Sequence, residues 1–186
     1  MNAESYAKLE RFMQDSVGMP LSLFNKMKPF TLMSLLYTKM LPCKGIASYE
    51  QRFMEMAKQE KKDVHGLEKL EDQFAIFDQI PDSTEARMII EMISRFQEQR
   101  QEFSKMTAAY KSKDLNTLYR MISASPDMAG FEDILLNNRN RYWIPVMEKA
   151  MTQEPVFFAV GAGHLPGENG VISLLRNAGY QVKAIE

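Results

Sequence analysis

Hydrophobic positions along most of the chain recur every three or four residues, which is the spacing of an amphipathic helix. The pattern predicts helices over residues 3–17, 21–27, 29–40, 49–59, 70–77, 84–111, 115–122 and 131–153. Ser48 and Asp114 are placed as N-caps of two of these helices, and Pro145 predicts a kink or a join within the last one. The chain is therefore expected to be dominated by helices.

The C-terminal part of the chain departs from this helical pattern. Residues 156–160 form an unbroken apolar run between a proline and a glycine, as expected of a strand buried on both faces. A predicted helix over 167–177 and a second apolar segment over 181–185 follow, which together predict a βαβ unit with two parallel strands. Residues 64–67 are a candidate third strand. We therefore expect an α/β fold that is rich in helix, with a small and mostly parallel sheet.

Length and composition limit the remaining choices. A chain of 186 residues can form one domain with a substantial core, and we predict a single domain over 1–186, with a helical cap over 1–44 and the α/β part over 45–186. The formal net charge of −1 gives no electrostatic case for nucleic-acid binding. No apolar run reaches the roughly 20 residues of a membrane span, and the single cysteine, Cys43, excludes an intrachain disulfide.

The turn after the first predicted strand carries the main candidate for chemistry, His164. It lies just beyond the carboxyl end of the strand, where open α/β sheets place their ligand sites. A histidine there can bind a metal or act as a general base, or it can simply form a hydrogen bond at the sheet edge. The surrounding glycines also resemble a dinucleotide-binding loop, but their spacing and Pro166 make that the weaker hypothesis.

Two other groups of residues are candidates to complete a site with this histidine. His65 lies in the candidate third strand and Glu68 follows it, and a metal site in a chain with two histidines needs carboxylates to reach three protein ligands. Arg139 and Asn140 share a predicted helix with Trp143, the only tryptophan, and could bind an anion or a carboxylate such as that of Glu68. Helical spacing by itself favours the simpler alternative, in which a solvated polar face accompanies a tryptophan in the core.

Four segments of the sequence together resemble motifs of the TraB/GumN family, which also includes the PrgY pheromone-shutdown proteins and the TIKI proteases. The first is the G-L-E segment with Gln73, and the last contains the family's G-x-x-H-L-x-G motif. Two further segments lie between them. One resembles the family's W/Y-x-x-G-D-L motif, with Lys113 where the family usually has glycine, and the other resembles its R-N-x-x-W/M helix. The residues that carry the resemblance are 64–68 with Gln73, Tyr110 with Lys113, Asp114 and Leu115, Asn138 to Asn140 with Trp143, and Gly161 to Glu168 with Gly179 and Tyr180.

The resemblance, which covers about residues 45–186, implies a hydrolase of peptidase type that depends on a divalent metal and acts on a peptide or protein. It implies catalytic roles for Glu68, His164 and Arg139, and metal binding by Glu68 and His164. Substrate binding or structural support is implied for Asn140, Trp143, Gly161, Gly163, Gly167 and Glu168.

The family site uses two G-x-x-H motifs, and this sequence contains the second one alone. We therefore expect a carboxyl-terminal part of such a protein or a shortened homologue, inactive as this chain, with the metal held in the full-length protein. The alternative within the family is a protein that binds or sequesters a peptide or pheromone without cleaving it. The resemblance to bacterial members of the family favours the cell envelope as the location of the protein. The apolar segment 30–36 predicts a homo-oligomer that forms through exposed helices.

Overall fold

The computed structural model describes residues 1–41, 45, 47–125 and 130–185. Its α-helices are α1 (Ala3–Phe12), α2 (Pro29–Met40), α3 (Tyr49–Gln59), α4 (Leu70–Asp78), α5 (Asp82–Ser94), α6 (Phe96–Lys111), α7 (Leu115–Ser123), α8 (Asn138–Met151) and α9 (Val171–Asn177). Short π-helical turns span Met13–Val17 and Asp133–Asn137, and 3-10 turns span Leu21–Phe24 and Ala162–His164. None of the described helices combines the length and apolarity needed to cross a bilayer.

The prediction of an α/β fold with a parallel sheet is wrong, because the described ranges contain helices and turns and no β-strand. Helix α9 forms where the βαβ unit was expected, but the segments on either side of it, 156–160 and 181–185, form no backbone–backbone hydrogen bond with another residue that the structure describes. Residues 64–67 do not form a strand either. An apolar run favours an extended backbone, but a strand also needs a partner for its N–H and C=O groups, and the pattern does not supply one.

The helix predictions are largely confirmed. Ser48 Oγ accepts a hydrogen bond from the Gln51 N–H at the start of α3, and Asp114 Oδ1 accepts one from the Thr117 N–H at the start of α7. The predicted helix 84–111 is instead two helices, because the backbone leaves the helical region at Arg95. Helix α8 continues through Pro145 without ending. The sequence between the predicted helices 29–40 and 49–59 also predicts a loop at 41–45, most of which falls outside the residues that the structure describes.

The chain forms two compact units. Unit 1 comprises Met1–Ile46 and Phe74–Lys105, and unit 2 comprises Ala47–Gln73 and Met106–Glu186. The prediction that residues 1–186 form a single domain stays a prediction.

In unit 1, helices α1 and α2 pack on α5 around an apolar core that is rich in methionine. The apolar segment 30–36 supplies part of this core, which includes Leu9, Met13, Leu32, Met33, Leu36, Met40, Met88, Ile89 and Met92. Oligomerisation through exposed helices stays a prediction. This core encloses a carboxylate: Glu85 of α5 is 0% exposed, and its Oε2 accepts a hydrogen bond from the Phe30 N–H (3.1 Å) in the first turn of α2.

In unit 2, the core lies between α8 and α9. Trp143, Ile144 and Met147 of α8 are buried with Val171 of α9. Partly buried hydrophobic residues surround them, namely Leu67, Met151, Phe158, Val160, Leu174 and Leu175. The segment 156–160 thus adds two side chains to this core although it forms no strand, and it leads from α8 to the turn that carries His164.

Candidate functional site

Unit 2 brings together five residues that the sequence analysis selected, Glu68, Arg139, Asn140, Trp143 and His164. Glu68 comes from the irregular segment before α4, and His164 comes from the 3-10 turn before α9. The other three belong to the first half of α8. Asn140, Trp143 and His164 are buried, so the cluster is mostly enclosed.

The Glu68 carboxylate is bound by three donors. Its Oε1 accepts from Arg139 Nη2 at 2.5 Å, and its Oε2 accepts from Arg139 Nε at 3.1 Å and from Trp143 Nε1 at 3.2 Å. The Arg139 and Glu68 side chains are only 17% and 13% exposed. A bidentate ion pair of this kind fixes the guanidinium and the carboxylate in one geometry and is stronger than a hydrogen bond between neutral groups.

Helix α8 sets the position of the guanidinium. Arg139 and Trp143 are four residues apart and therefore lie on one face of the helix, with Arg139 Cζ 5.0 Å from the centre of the tryptophan ring. Arg139 Nη1 also donates to the Leu135 carbonyl at 3.1 Å. Glu68 reaches this face because Gly66 allows a tight backbone approach: a Cβ at Gly66 would lie 2.7 Å from the Glu68 carbonyl oxygen.

Asn140 fixes the orientation and the tautomer of His164. The Asn140 Nδ2 amide donates to the carbonyls of Asn169 (2.8 Å) and His164 (3.4 Å), so its Oδ1 faces His164 Nδ1 at 2.7 Å as an acceptor. The network therefore assigns the imidazole proton to Nδ1. The lone pair of Nε2 then points towards Arg139 Nη1, which is 3.5 Å away.

The same surroundings keep His164 neutral. The pKa of the imidazole is lowered from 6.5 to about 4, mainly by burial and also by the positive charge of Arg139, while the negative charge of Glu68 opposes both effects. His164 also lies against the indole of Trp143, with 4.5 Å between the ring centres. At neutral pH the residue is therefore a neutral imidazole that carries its proton on Nδ1, directs its Nε2 lone pair towards Arg139, and is a weak base.

The glycines of the turn make room for α7. A Cβ at Gly167, where φ is +86°, would lie 2.8 Å from the Tyr119 ring, so the position requires glycine. At Gly163 a Cβ would lie 3.0 Å from the tip of Ile122, and at Gly161 it would be in ordinary contact with the His164 ring. These predicted support residues shape the turn around the histidine.

Two predicted candidates, His65 and Glu168, have exposed side chains, in contrast to the buried and half-buried residues of the cluster. The sequence analysis missed Asn169 and Leu135, whose backbone carbonyls accept from Asn140 and Arg139. It also missed Tyr119 of α7, which covers Gly167. A backbone acceptor has no signal in the sequence, but the asparagine directly after the G-x-x-H-L-x-G-E segment was a polar residue worth testing.

The cluster does not fit a divalent metal by itself. A catalytic zinc site of this type uses three protein ligands, and no group of three His, Cys, Asp or Glu side chains converges anywhere in the described part of the chain. Of the two predicted ligands, Glu68 has both oxygens bound by Arg139 or Trp143, and His164 Nε2 faces the same arginine. A fixed guanidinium thus occupies the place between the carboxylate and the imidazole.

The geometry nevertheless defines what the cluster can do. It contains a fixed positive charge, a compensating carboxylate and a neutral imidazole of known tautomer, and each is held by residues from another element. Such a network is stiff because every polar group in it has a partner. It holds the turn 161–169 against α8 and so fixes the end of the apolar segment 156–160.

Comparison with known proteins identifies the family. The sequence model of the TraB/PrgY/gumN family matches residues 1–184, so the match extends beyond the residues on which the resemblance rested. No curated protein and no solved structure matches the chain. The predicted family is confirmed, and the chain belongs to the TraB/PrgY/gumN family.

Proposed function

We propose that this chain is a member of its family that binds a peptide without cleaving it. The observation that carries this proposal is the position of Arg139, whose guanidinium binds Glu68 at two points and faces His164 Nε2. The two groups that hydrolysis would need are thereby engaged with a cation that belongs to the protein. The cluster then serves to hold a surface in shape rather than to activate water.

The peptide as ligand follows from the family resemblance, and the surface features of unit 2 support it. Phe157 is 72% exposed and Tyr49 is 64% exposed, and large exposed apolar residues that lie close together mark binding surfaces. Phe157 belongs to the segment that ends in the His164 turn. Loss of the cluster should therefore weaken peptide binding by loosening this segment.

A second candidate is the metal-dependent hydrolase, and one observation favours it. An amide oxygen holds His164 Nδ1–H and leaves Nε2 as the ring nitrogen with the lone pair, as in metal-binding histidines whose other nitrogen donates to an oxygen of the protein. The described residues supply two ligands for a metal, so this function needs donors from beyond the cluster and a displaced Arg139. For either candidate we propose the cell envelope as the location, on the resemblance alone.

The two candidates are separated by selecting binders from a random peptide library with the purified chain. The selected peptides are then incubated with the chain, with and without added Zn²⁺ or Mn²⁺, and analysed by mass spectrometry. The binding function predicts intact peptides, no stoichiometric metal in the protein, and weaker binding by the Asn140→Ala variant. Cleavage that requires added metal and disappears in His164→Ala would establish the hydrolase, and a failure to select any binder would reject the binding function.

A further inference from the structure

The segment 156–160 has the free edges of a strand. Throughout the described ranges, none of its five residues takes part in a backbone–backbone hydrogen bond. Pro155 bounds the segment on one side, and on the other the Gly161 carbonyl already accepts from His164 N (2.9 Å) in the turn. The segment therefore presents N–H and C=O groups over the length of a short strand, and a row of unpaired backbone groups is a template for pairing with another chain.

Side-chain exposure alternates over residues 157–160 as it does in a strand, and Val156, at the start of the segment, is 41% exposed. Phe158 and Val160 pack against the core of unit 2, whereas Phe157 is 72% exposed and Ala159 is also exposed. Alternation between two faces is the property of an extended backbone, whose peptide groups point sideways between the faces. The conformation is thus ready for pairing.

An aromatic row lies beside the exposed face of the segment. The ring of Phe157 meets that of Phe53 edge-on with 5.1 Å between centres, and Phe53 stacks on Tyr49 at 6.1 Å. Phe53 and Tyr49 belong to α3, which has no buried residue among its side chains. A strand added to the segment would place every second side chain next to this row.

We propose that the peptide ligand binds as an added β-strand along residues 156–160. This inference rests on the proposed function and specifies the conformation and the binding place of its ligand. The ligand has four or more consecutive residues without proline, because proline lacks the N–H that the edge requires. It carries apolar or aromatic side chains at alternate positions, where they contact Phe157 and the aromatic row.

The probe for this inference is an acetylated and amidated peptide of alternating valine and threonine with a lysine at each end. Two control peptides carry N-methyl groups on alternate residues. The first control has the methyl groups along one edge of the strand, and the second has them along the other edge. Methylation removes N–H donors and keeps every side chain. We expect one of the two controls to bind at least about tenfold more weakly, because it loses two or three hydrogen bonds, and equal affinities for all three peptides would overturn the proposal.

Amide hydrogen exchange locates the binding. The probe should protect alternate amides within 156–160, because successive N–H groups of a strand point to opposite edges. Phe157→Ala should weaken probe binding by up to about fivefold, and Tyr142→Ala, which removes another exposed aromatic ring of unit 2, should leave the affinity unchanged. Protection of every amide in the segment, or of none, would contradict strand addition.

The outcomes separate this inference from the function on which it rests. If library-selected peptides bind the chain but protect no alternate amides at 156–160, strand addition is wrong and the binding function stands. If no library peptide binds, the binding function itself is wrong. Alternate protection that appears without peptide and grows with protein concentration would assign the edge to a second copy of the chain, which also overturns the proposal.

Discussion

Each of the two units encloses a carboxylate, and their surroundings differ. In unit 1, one oxygen of Glu85 caps the first turn of α2, while the other, Oε1, is buried without a hydrogen-bond partner among the described residues. In unit 2, Glu68 accepts from Arg139 and Trp143 with both oxygens. The carboxylate of unit 1 is a single polar group in an apolar core, and that of unit 2 belongs to a network.

The difference shows which kind of buried acid indicates a site. Burial raises the pKa of Glu85, against the opposing effects of the Phe30 N–H and of Lys28, and Asp82 and Asp78 raise it further. Such a group costs folding free energy and contributes a helix cap. Convergence of Arg139, Trp143 and His164 on one place, with each polar group satisfied, is the stronger indication of function.

The largest expected effect comes from separating the pair in unit 2. Arg139→Met should lower the free energy of unfolding by about 3 to 4 kcal/mol, because it leaves the mostly buried Glu68 charge without its partner. Chemical denaturation measures the change. The matched control is Arg141→Met, since Arg141 lies on the same helix, is exposed and contacts Asn138 and Asn169. If both variants lost the same stability, the cluster would have no special role in unit 2.

The second-largest expected effect is a dependence of stability on pH that is due to His164. The pKa of His164 in the folded chain, about 4, lies below its ordinary value of 6.5. Its contribution to the free energy of unfolding is therefore complete above pH 6.5 and is lost as the pH falls towards 4. The loss should reach roughly 3 kcal/mol. Unfolding followed between pH 7 and 4 should show a shallower slope for His164→Gln than for the unmodified chain. His65→Gln, at an exposed position, is the control and should keep the original slope.

The third effect tests the isolated carboxylate of unit 1. The pKa of Glu85 is raised above 4.5, so its protonated form is favoured in the fold and stability falls as the pH rises above about 4.5. Glu85→Gln should therefore be more stable than the unmodified chain at pH 7 by about 1 kcal/mol and should gain nothing at pH 4. Glu85→Ala should instead lose about 1 to 3 kcal/mol at both pH values, because it removes the cap and leaves a cavity. A gain at pH 4 equal to that at pH 7 would contradict this account.

The smallest effect concerns the backbone. In the described part of unit 1 the residue with positive φ is a glycine, Gly18, whereas unit 2 holds Lys61 and Lys113 at φ values of +54° and +58°. Lys113→Gly should raise stability by about 0.5 to 1 kcal/mol, because it removes the strain of a left-handed side-chain residue. Thermal unfolding measures the change, and Lys111→Gly, within helix α6, should have the opposite sign. The left-handed backbone at Lys113 suits the glycine that the resemblance led us to expect at this position.

Much of the local structure follows from the sequence because it depends on neighbours in the chain. Pro29 at the start of α2, Ser48 before α3 and Asp114 before α7 each act within one helical turn, so residue type and spacing suffice to predict them. The break at Arg95 was missed because the hydrophobic period continues across it from α5 to α6. The expected sheet was wrong because strand pairing depends on residues far away in the chain.

For the candidate site, the sequence was enough to select Glu68, Arg139, Asn140, Trp143 and His164 as candidates from their motif positions, and the family match confirms the resemblance on which that choice rested. The contacts among these residues come from the fold. It places Arg139 against both Glu68 and His164, assigns the imidazole proton through Asn140, and leaves 156–160 without a strand partner among the described residues. The reason is that a residue's type is a local property, whereas charge pairing, pKa and backbone pairing depend on which distant groups the fold brings within a few ångströms.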